Sequence, residues 1–318
     1  MSSHTNSSFL HSFCLAPTPQ SVRLPRLEYL SLAYEWDVPE VLHSHVVRLW
    51  EKFTTDLRNK ASSFDDHPTS VLELLSRFLL HLMQYELGET GGVFQSSCVE
   101  LLLAQIESGF LGDSSIQSIV SNLPGTALQK QNVIQAYVAA TYHVGHSSLR
   151  KAPRTAVFDQ DASRAIQTYA MFGGQGNTMD YVQELRALFE TYKPVIEPIL
   201  ATAEDALQIF LRDRSSSRTK HFKHGLEILQ WLHRVESTPS TDYLLSAPVS
   251  LPLIGLLQFA TYAVICWSLK KTPGEVTQTF RGMTGHSQGV VVAAALSTTT
   301  TWESLHHALV KALTVLIE

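Results

Sequence analysis

The segment at residues 285–289, which reads GHSQG, constrains this chain more than any other stretch of its sequence. Its pattern, G-x-S-x-G, is typical of a serine on a sharp turn between a strand and a helix. Glycine is favoured two positions before and after that serine, because a Cβ there would block the close approach of the flanking backbones. Ser287 is therefore the candidate nucleophile, and Gly285 and Gly289 are the elbow glycines. The alternative is a tight turn without chemistry, since so short a pattern also occurs by chance.

A second glycine-rich segment, Gly-Gly-Gln-Gly-Asn at residues 173–177, follows a short apolar run at residues 169–172. The run predicts a buried strand and the apolar spacing after the glycines predicts a helix. Free N–H groups in such a loop face a ligand. The segment lacks the G-K-[ST] ending of a phosphate loop and the G-x-G-x-x-G spacing of a dinucleotide site. We therefore interpret it as a loop in which Gln175, flanked by Gly174 and Gly176, presents its amide to a substrate carbonyl.

The first 150 residues are predicted to be mostly helical. Between residues 37 and 57, apolar side chains recur at steps of three and four, which is the pattern of one amphipathic helix. Ser70 and Glu73 form the capping-box pattern in front of a second apolar run, so a helix is expected to begin there. Further helical patterns cover residues 98–106, 116–120 and 127–142. We therefore divide the chain into a helical region, residues 1–150, and a second domain, residues 165–318.

Charge, cysteine content and histidine spacing exclude several classes of protein. A net charge of −5, with 17% charged residues, shows no basic excess of the kind that nucleic-acid binding favours. The three cysteines are far apart and form no C-x-x-C pair, which fits reduced thiols in a cytoplasmic protein; they are Cys14, Cys98 and Cys266. Two histidine pairs have no acidic or thiol ligand beside them, so no metal site is expected. These pairs are His143 with His146, and His221 with His224.

One uncharged run, residues 243–269, contains a segment long enough to be considered as a membrane span. Pro252, Gly255 and Gln258 interrupt its apolar sequence, and no second run of this kind occurs. We interpret the segment as a helix buried in the core, and we expect no association with a membrane.

Several blocks of sequence, taken together, resemble the β subunit of the fungal type I fatty acid synthase. These blocks are residues 172–178 (FGGQGNT), 238–258 (TPSTDYLLSAPVSLPLIGLLQ), 272–275 (TPGE) and 284–289 (TGHSQG). The resemblance extends over nearly the whole chain and includes the related β subunits that make starter acids for secondary metabolism. It implies an α/β fold: a helical N-terminal region followed by an incomplete α/β-hydrolase-like acyltransferase core with a nucleophile elbow.

The resemblance also implies a reaction. Ser287 would attack the thioester of acetyl-CoA or another acyl-CoA, form an acyl-enzyme, and pass the acyl group to an acyl carrier protein on the synthase α subunit. The N–H of Gln288 and a group of the Gln175 loop would hold the oxyanion. The other residues implied to contact the substrate are His286, Gly174 and Gly176. The resemblance implies no bound cofactor.

The sequence departs from the family pattern after the elbow. In the family the histidine that activates the serine lies well downstream, whereas only 31 residues follow Ser287 here. His306 and His307 fall on an amphipathic pattern, so we interpret them as helix-surface residues and expect the general base beyond Glu318. On this interpretation the acyltransferase domain is cut short after the elbow helix.

Three alternatives remain open. The chain would be a non-catalytic fragment or assembly module of the synthase if Ser287 forms no acyl-enzyme. An α/β-hydrolase esterase would share the G-x-S-x-G pattern, but it would need an acid and a histidine after the serine. A starter-unit transacylase of a polyketide synthase would be expected to carry a cysteine at the position of Ser287.

Overall fold

The computed structural model of the chain describes residues 25–61, 66–84, 91–145, 167–176, 180–212 and 219–318. Cys14, His146 and Asn177 lie outside these ranges, so the structure does not bear on the predictions made for them. The described residues form two hydrophobic cores, one drawn from residues 27–140 and the other from residues 138–317.

The first region is a group of helices with one small hairpin. Its strands are β1 (Arg26–Tyr29) and β2 (Leu32–Glu35), which pair antiparallel, and its helices are α1 (Glu40–Lys60), α2 (Val71–Gln84), α3 (Gly91–Ile106), α4 (Ile116–Ser121) and α5 (Ala127–Val144). A π-helical turn at Glu107–Leu111 follows α3 directly. The region is mostly helical, as predicted.

The hairpin was not predicted, because its turn lacks the usual sequence signal. Leu30 occupies the turn with a positive φ of 52°, where glycine or asparagine is the common residue. The hairpin closes one side of an aromatic core in which Phe78 meets Trp36 and Trp50 edge-on, with ring centroids 6.2 and 4.9 Å apart. Packing against this core therefore stabilises a hairpin whose turn has no recognisable signal in the local sequence.

Helix α2 begins where the capping pattern predicted, although the capping box is incomplete. Ser70 Oγ accepts the N–H of Glu73 at 3.2 Å. The Glu73 carboxylate reaches back to Thr69, however, and accepts from both its N–H and its hydroxyl. The cap still satisfies donors at the helix start, which is its physical purpose.

The second region combines helices with a short parallel sheet. Its elements are β3 (Tyr169–Phe172), α6 (Asp180–Arg212), α7 (Ile228–His233), α8 (Thr241–Leu245), α9 (Ala247–Ser268), α10 (Pro273–Thr279), β4 (Gly282–Gly285), α11 (Gly289–Ser297) and α12 (Trp302–Ile317). Short 3₁₀ turns lie at Thr219–Phe222 and Val235–Ser237. Within α6, Tyr192 leaves the helical conformation two residues before Pro194, because proline restricts the preceding backbone and removes a donor.

Helix α9 is the central helix of the second region. By length and composition it could cross a membrane, yet 72% of its most apolar stretch is buried inside the protein. It packs against α6 and α12, and a Cβ on Gly255 would lie only 2.5 Å from Leu316 Cδ1. The interpretation of this segment as a buried core helix is confirmed.

Strands β3 and β4 pair in parallel, with Tyr169 opposite Gly282 and Phe172 opposite Gly285. Their carboxyl ends therefore lie at the same edge of the sheet. The strand itself was predicted, but its expected burial is wrong: Met171 is 80% exposed and Tyr169 is 61% exposed. Successive side chains point to opposite faces of a strand, and Phe172 is on the face that packs against the helices. Many helices with two small sheets are consistent with the α/β class.

Candidate active site

Ser287 lies on a strained turn between β4 and α11. Its φ is +54°, a left-handed conformation that costs a residue with a side chain about 1–2 kcal/mol. Backbone hydrogen bonds hold the turn: His286 N–H donates to Phe172 O at 2.9 Å, and Gly289 N–H donates to His286 O at 3.0 Å. Ser287 is exposed at this turn. The backbone of Ser287 is therefore held at the carboxyl edge of the sheet, with its side chain exposed.

The two glycines that flank Ser287 are required by close backbone contacts. A Cβ on Gly285 would collide with the backbone of Gly289 and Val290. A Cβ on Gly289 would collide with Phe172 O and would lie 2.7 Å from Gly173 O. Both contacts are below 3.0 Å, where real Cβ atoms essentially never approach a neighbour. These close contacts explain why glycine occupies both flanking positions of the G-x-S-x-G pattern, which is the steric reason expected from the sequence.

The glycine-rich loop meets the serine turn through Gly174. A Cβ on Gly174 would lie 2.8 Å from Ser287 Cβ and 3.1 Å from His286 Nδ1. Gly176 is different, because a Cβ there would meet nothing within 4 Å. The parallel pairing of β3 with β4 explains the contact, since it brings the ends of the two strands to one edge. Of the two loop glycines predicted from the sequence, only Gly174 touches the serine turn.

The side chain of Gln175 is held by the start of the core helix. Its Nε2 donates to Ser250 Oγ at 2.9 Å and to Leu245 O at 3.3 Å. Both donors of this amide are therefore engaged within the protein. A substrate carbonyl that meets the loop in this conformation would meet the main chain of Gln175 rather than its side-chain N–H groups.

Gln288 directly follows the serine and has a buried side chain. The residue is 6% exposed, and within the described part of the chain neither Nε2 nor Oε1 has a hydrogen-bond partner. The backbone N–H groups of residues 289–291 donate to carbonyls of the turn. No such bond is found for the N–H of Gln288 among the described residues, so this donor remains for an oxygen placed near Ser287.

The two histidines after the elbow differ in exposure. His307 is exposed, as predicted, whereas His306 is half-buried and its Nδ1 lies 2.8 Å from Thr202 Oγ1. The surface interpretation was therefore wrong for His306, because α12 packs that side chain against α6.

Within the described ranges, the hydroxyl of Ser287 has no hydrogen-bond partner.

Within the described residues, the cysteines are buried and His221 and His224 lie at the surface. Burial raises the pKa of Cys98 to about 11 and that of Cys266 to about 12, so both thiols stay protonated at neutral pH. His221 and His224 are exposed, and His224 meets the ring of Tyr243 edge-on. Among the residues that the structure describes, His, Cys, Asp and Glu form no group of three suited to a metal ion.

Sequence reasoning missed two polar residues of α9 that contact the loop. Gln258 Nε2 donates to Gly173 O at 2.7 Å, and Ser250, only 1% exposed, accepts from Gln175. Gln258 interrupts the apolar run in the sequence, but nothing in the sequence marks Gly173 as its partner. A polar side chain in an uncharged core helix is the available signal, since burying it without a partner is costly.

Two family profiles match this chain, one in each region. The profile described as the N-terminal domain in fatty acid synthase subunit beta matches residues 21–144. The profile described as the starter unit:ACP transacylase in aflatoxin biosynthesis matches residues 170–318. The second match includes both the glycine-rich loop and the serine turn.

Curated relatives match over most of the chain. The fatty acid synthase beta subunit TOXC of Cochliobolus carbonum is 32% identical over 95% of the chain, and the fatty acid synthase subunit beta of Saccharomyces cerevisiae is 34% identical over 93%. The fatty acid synthase beta subunit aflB of Emericella nidulans is 37% identical over 64%. The chain spans only 14%, 15% and 9% of the lengths of these three relatives.

Proposed function

Because this chain belongs to the family of fungal fatty acid synthase β subunits, we propose that its second region is an acyltransferase that loads a starter acyl group. The donor is acetyl-CoA or another acyl-CoA, and the acceptor is the phosphopantetheine thiol of an acyl carrier protein on the synthase α subunit. One observation carries the proposal. An exposed serine with φ of +54° sits between two sterically required glycines, where a strand passes into a helix.

The proposed reaction has two similar steps. Ser287 Oγ attacks the thioester carbonyl carbon, the C–S bond breaks, and coenzyme A leaves as its thiol while the acyl group stays on the serine. The carrier thiol then attacks the acyl-serine, and Ser287 recovers its proton. A base must take the serine proton and return it to the leaving sulfur. Within the described residues no group forms a hydrogen bond with the Ser287 hydroxyl, so none of them is assigned that role.

Two main-chain N–H groups form the oxyanion site in this reaction. The turn at residues 285–289 is a nucleophile elbow of an α/β-hydrolase-like core, and the N–H of Gln288 donates to the developing oxyanion. The second donor is a main-chain N–H of the loop, since Gly174 packs on Ser287 while the Gln175 amide is engaged with Ser250. His286 and Gly176 border the substrate, no resident cofactor takes part, and the protein works in the cytoplasm.

Acyl-enzyme trapping tests the nucleophile. The polypeptide that carries this sequence, at the length made by its source cell, is mixed with radiolabelled acetyl-CoA, quenched in acid and digested. Label is expected on the peptide that contains Ser287, and Ser287→Ala should abolish it. Ser297→Ala, which removes another exposed serine from α11, should acylate normally. Full labelling of the Ser287→Ala variant would overturn the assignment, and rapid release of free acetate without a carrier protein would favour the esterase alternative.

A non-catalytic role is the second candidate. It is favoured by one observation: within the described residues, no group forms a hydrogen bond with the Ser287 hydroxyl. The denatured size of the native polypeptide that yields the tryptic peptide of residues 282–311 separates the two candidates. A size several times larger than 35.4 kDa places Ser287 in a multifunctional subunit. A size near 35.4 kDa, together with no acylation, supports an assembly module.

A further inference from the structure

Helix α9 contacts the glycine-rich loop at two points, one on each side of Gly174. Gln258 Nε2 donates to Gly173 O at 2.7 Å, and Gln175 Nε2 donates to Ser250 Oγ at 2.9 Å. The two α9 residues lie about two turns apart. One rigid helix therefore holds both ends of a short piece of loop.

The loop has little else to hold it in place. The pairing of β3 with β4 ends at Phe172, and among the described residues no backbone N–H of residues 174–176 donates within the protein. Gly174 has no side chain to anchor it, yet it packs directly on Ser287. The position of its main chain therefore depends mainly on the side chains of Gln258 and Gln175, which contact α9, and Gln175 Nε2 also donates to Leu245 O at 3.3 Å.

We propose that Gln258 and Ser250 are positioning residues, which hold the loop so that its N–H groups face an acyl oxygen on Ser287. This inference rests on the function proposed above. Gln258 Oε1 is buried without a partner among the described residues, which is unfavourable in a core helix. An apolar residue at position 258 would avoid the cost of burying an unpaired Oε1. The bond from Gln258 Nε2 to Gly173 O explains why a glutamine is present there instead.

The test uses the native polypeptide that contains this sequence, as its source cell makes it. The measured quantity is the rate of single-turnover acylation by acetyl-CoA. Gln258→Met keeps the side-chain length and removes the donor. The rate constant at saturating acetyl-CoA is expected to fall about three- to tenfold, the effect of one lost hydrogen bond. The half-saturation concentration should stay unchanged, because the loop donor acts mainly in the transition state. Ser250→Ala should lower the rate constant about threefold, and Ser250→Thr, which keeps the hydroxyl, should restore it.

Two controls separate positioning from a general loss of structure. Thr261→Val removes another polar group from α9, one that among the described residues bonds to Leu257 O of its own helix and to no other group, and should leave the rate constant unchanged. The experimental structure of Gln258→Met should show residues 173–175 displaced from Ser287, or with weaker density than in the unsubstituted protein, whatever the activity. An unchanged rate constant in Gln258→Met, or an equal fall in Thr261→Val, would overturn the inference. Absence of acylation in the unsubstituted protein would instead refute the proposed function, and the structure of Gln258→Met would still decide whether Gln258 holds the loop.

Discussion

The two regions of the chain treat buried polar groups differently, and the first region pairs its buried carboxylates. Glu73, only 2% exposed, meets Arg77 at 2.6 Å and also accepts from Thr69. Glu107 accepts from the hydroxyl of Tyr137 at 2.9 Å. Partners of this kind offset the cost of removing a charge from water. Both buried carboxylates of the first region are therefore satisfied within the fold.

The second region concentrates unfavourable features at one place. Ser287 has a left-handed backbone, Gln288 buries both amide atoms without a partner, and Gln258 buries its carbonyl oxygen in the same way. The first region has isolated costs of this type, such as Trp36 Nε1, but they do not gather around one turn. Strain that collects at a single turn is characteristic of a functional site. The difference agrees with the proposal that the second region carries the chemistry.

The largest expected effect is a loss of stability, which should be large for the glycines of the serine turn and small for Gly176 in the loop. Gly285→Ala or Gly289→Ala forces a Cβ into the backbone, so each should lower the free energy of unfolding by about 3 kcal/mol. Gly176→Ala, whose Cβ meets nothing within 4 Å, should change it by less than about 0.5 kcal/mol. Urea unfolding of the three variants measures this, and equal midpoints would show that the turn is not tightly packed.

A smaller loss of stability is expected from a substitution in the first region, and it should leave the acylation rate constant unchanged. Glu73→Gln removes the charge that binds Arg77 and Thr69, so it should cost about 2 kcal/mol of unfolding free energy. The acylation rate constant per folded molecule should not change, because the substitution lies in the first region. Glu51→Gln, at an exposed position of α1, is the matched control and should be silent in both measurements. A fall in acylation at constant folded fraction would contradict the division of labour between the regions.

The smallest effect concerns pH. Burial, with a further contribution from His307, holds the pKa of His306 below the ordinary 6.5 of histidine. As the pH falls below 6.5, the unfolded chain takes up a proton at this residue that the folded chain does not, so stability falls with decreasing pH. His45 and His81 act in the same direction, chiefly because burial lowers the pKa of each.

Substitution of His306 isolates its share of this pH dependence. His306→Gln keeps a hydrogen-bonding group for Thr202 but cannot titrate. Its melting temperature should fall less than that of the parent protein between about pH 7.5 and about pH 5.5. His221→Gln, at an exposed position, should follow the parent protein. An identical fall in His306→Gln and in the parent would show that His306 does not contribute.

Much of the site could be predicted because its signals are local. The spacing of Gly285, Ser287 and Gly289 reflects contacts within one turn, and the helix start at Ser70 reflects a bond to Glu73. The exposure of β3 could not be predicted, since a run of apolar residues looks the same whether one face of its sheet is covered or both. The surface interpretation of His306 failed for a related reason: its neighbour Thr202 is 104 positions away.

Local chemistry and long-range packing therefore account for different parts of this protein. The order of residues alone places the helix starts, the glycine-flanked serine and the apolar core helix, because each depends on neighbours within one or two turns. Chain folding brings β3 beside β4, sets Gly174 on Ser287, and joins Gln258 to Gly173 across 85 positions. No periodicity encodes those contacts, since each pairs residues whose separation depends on how all the intervening helices pack.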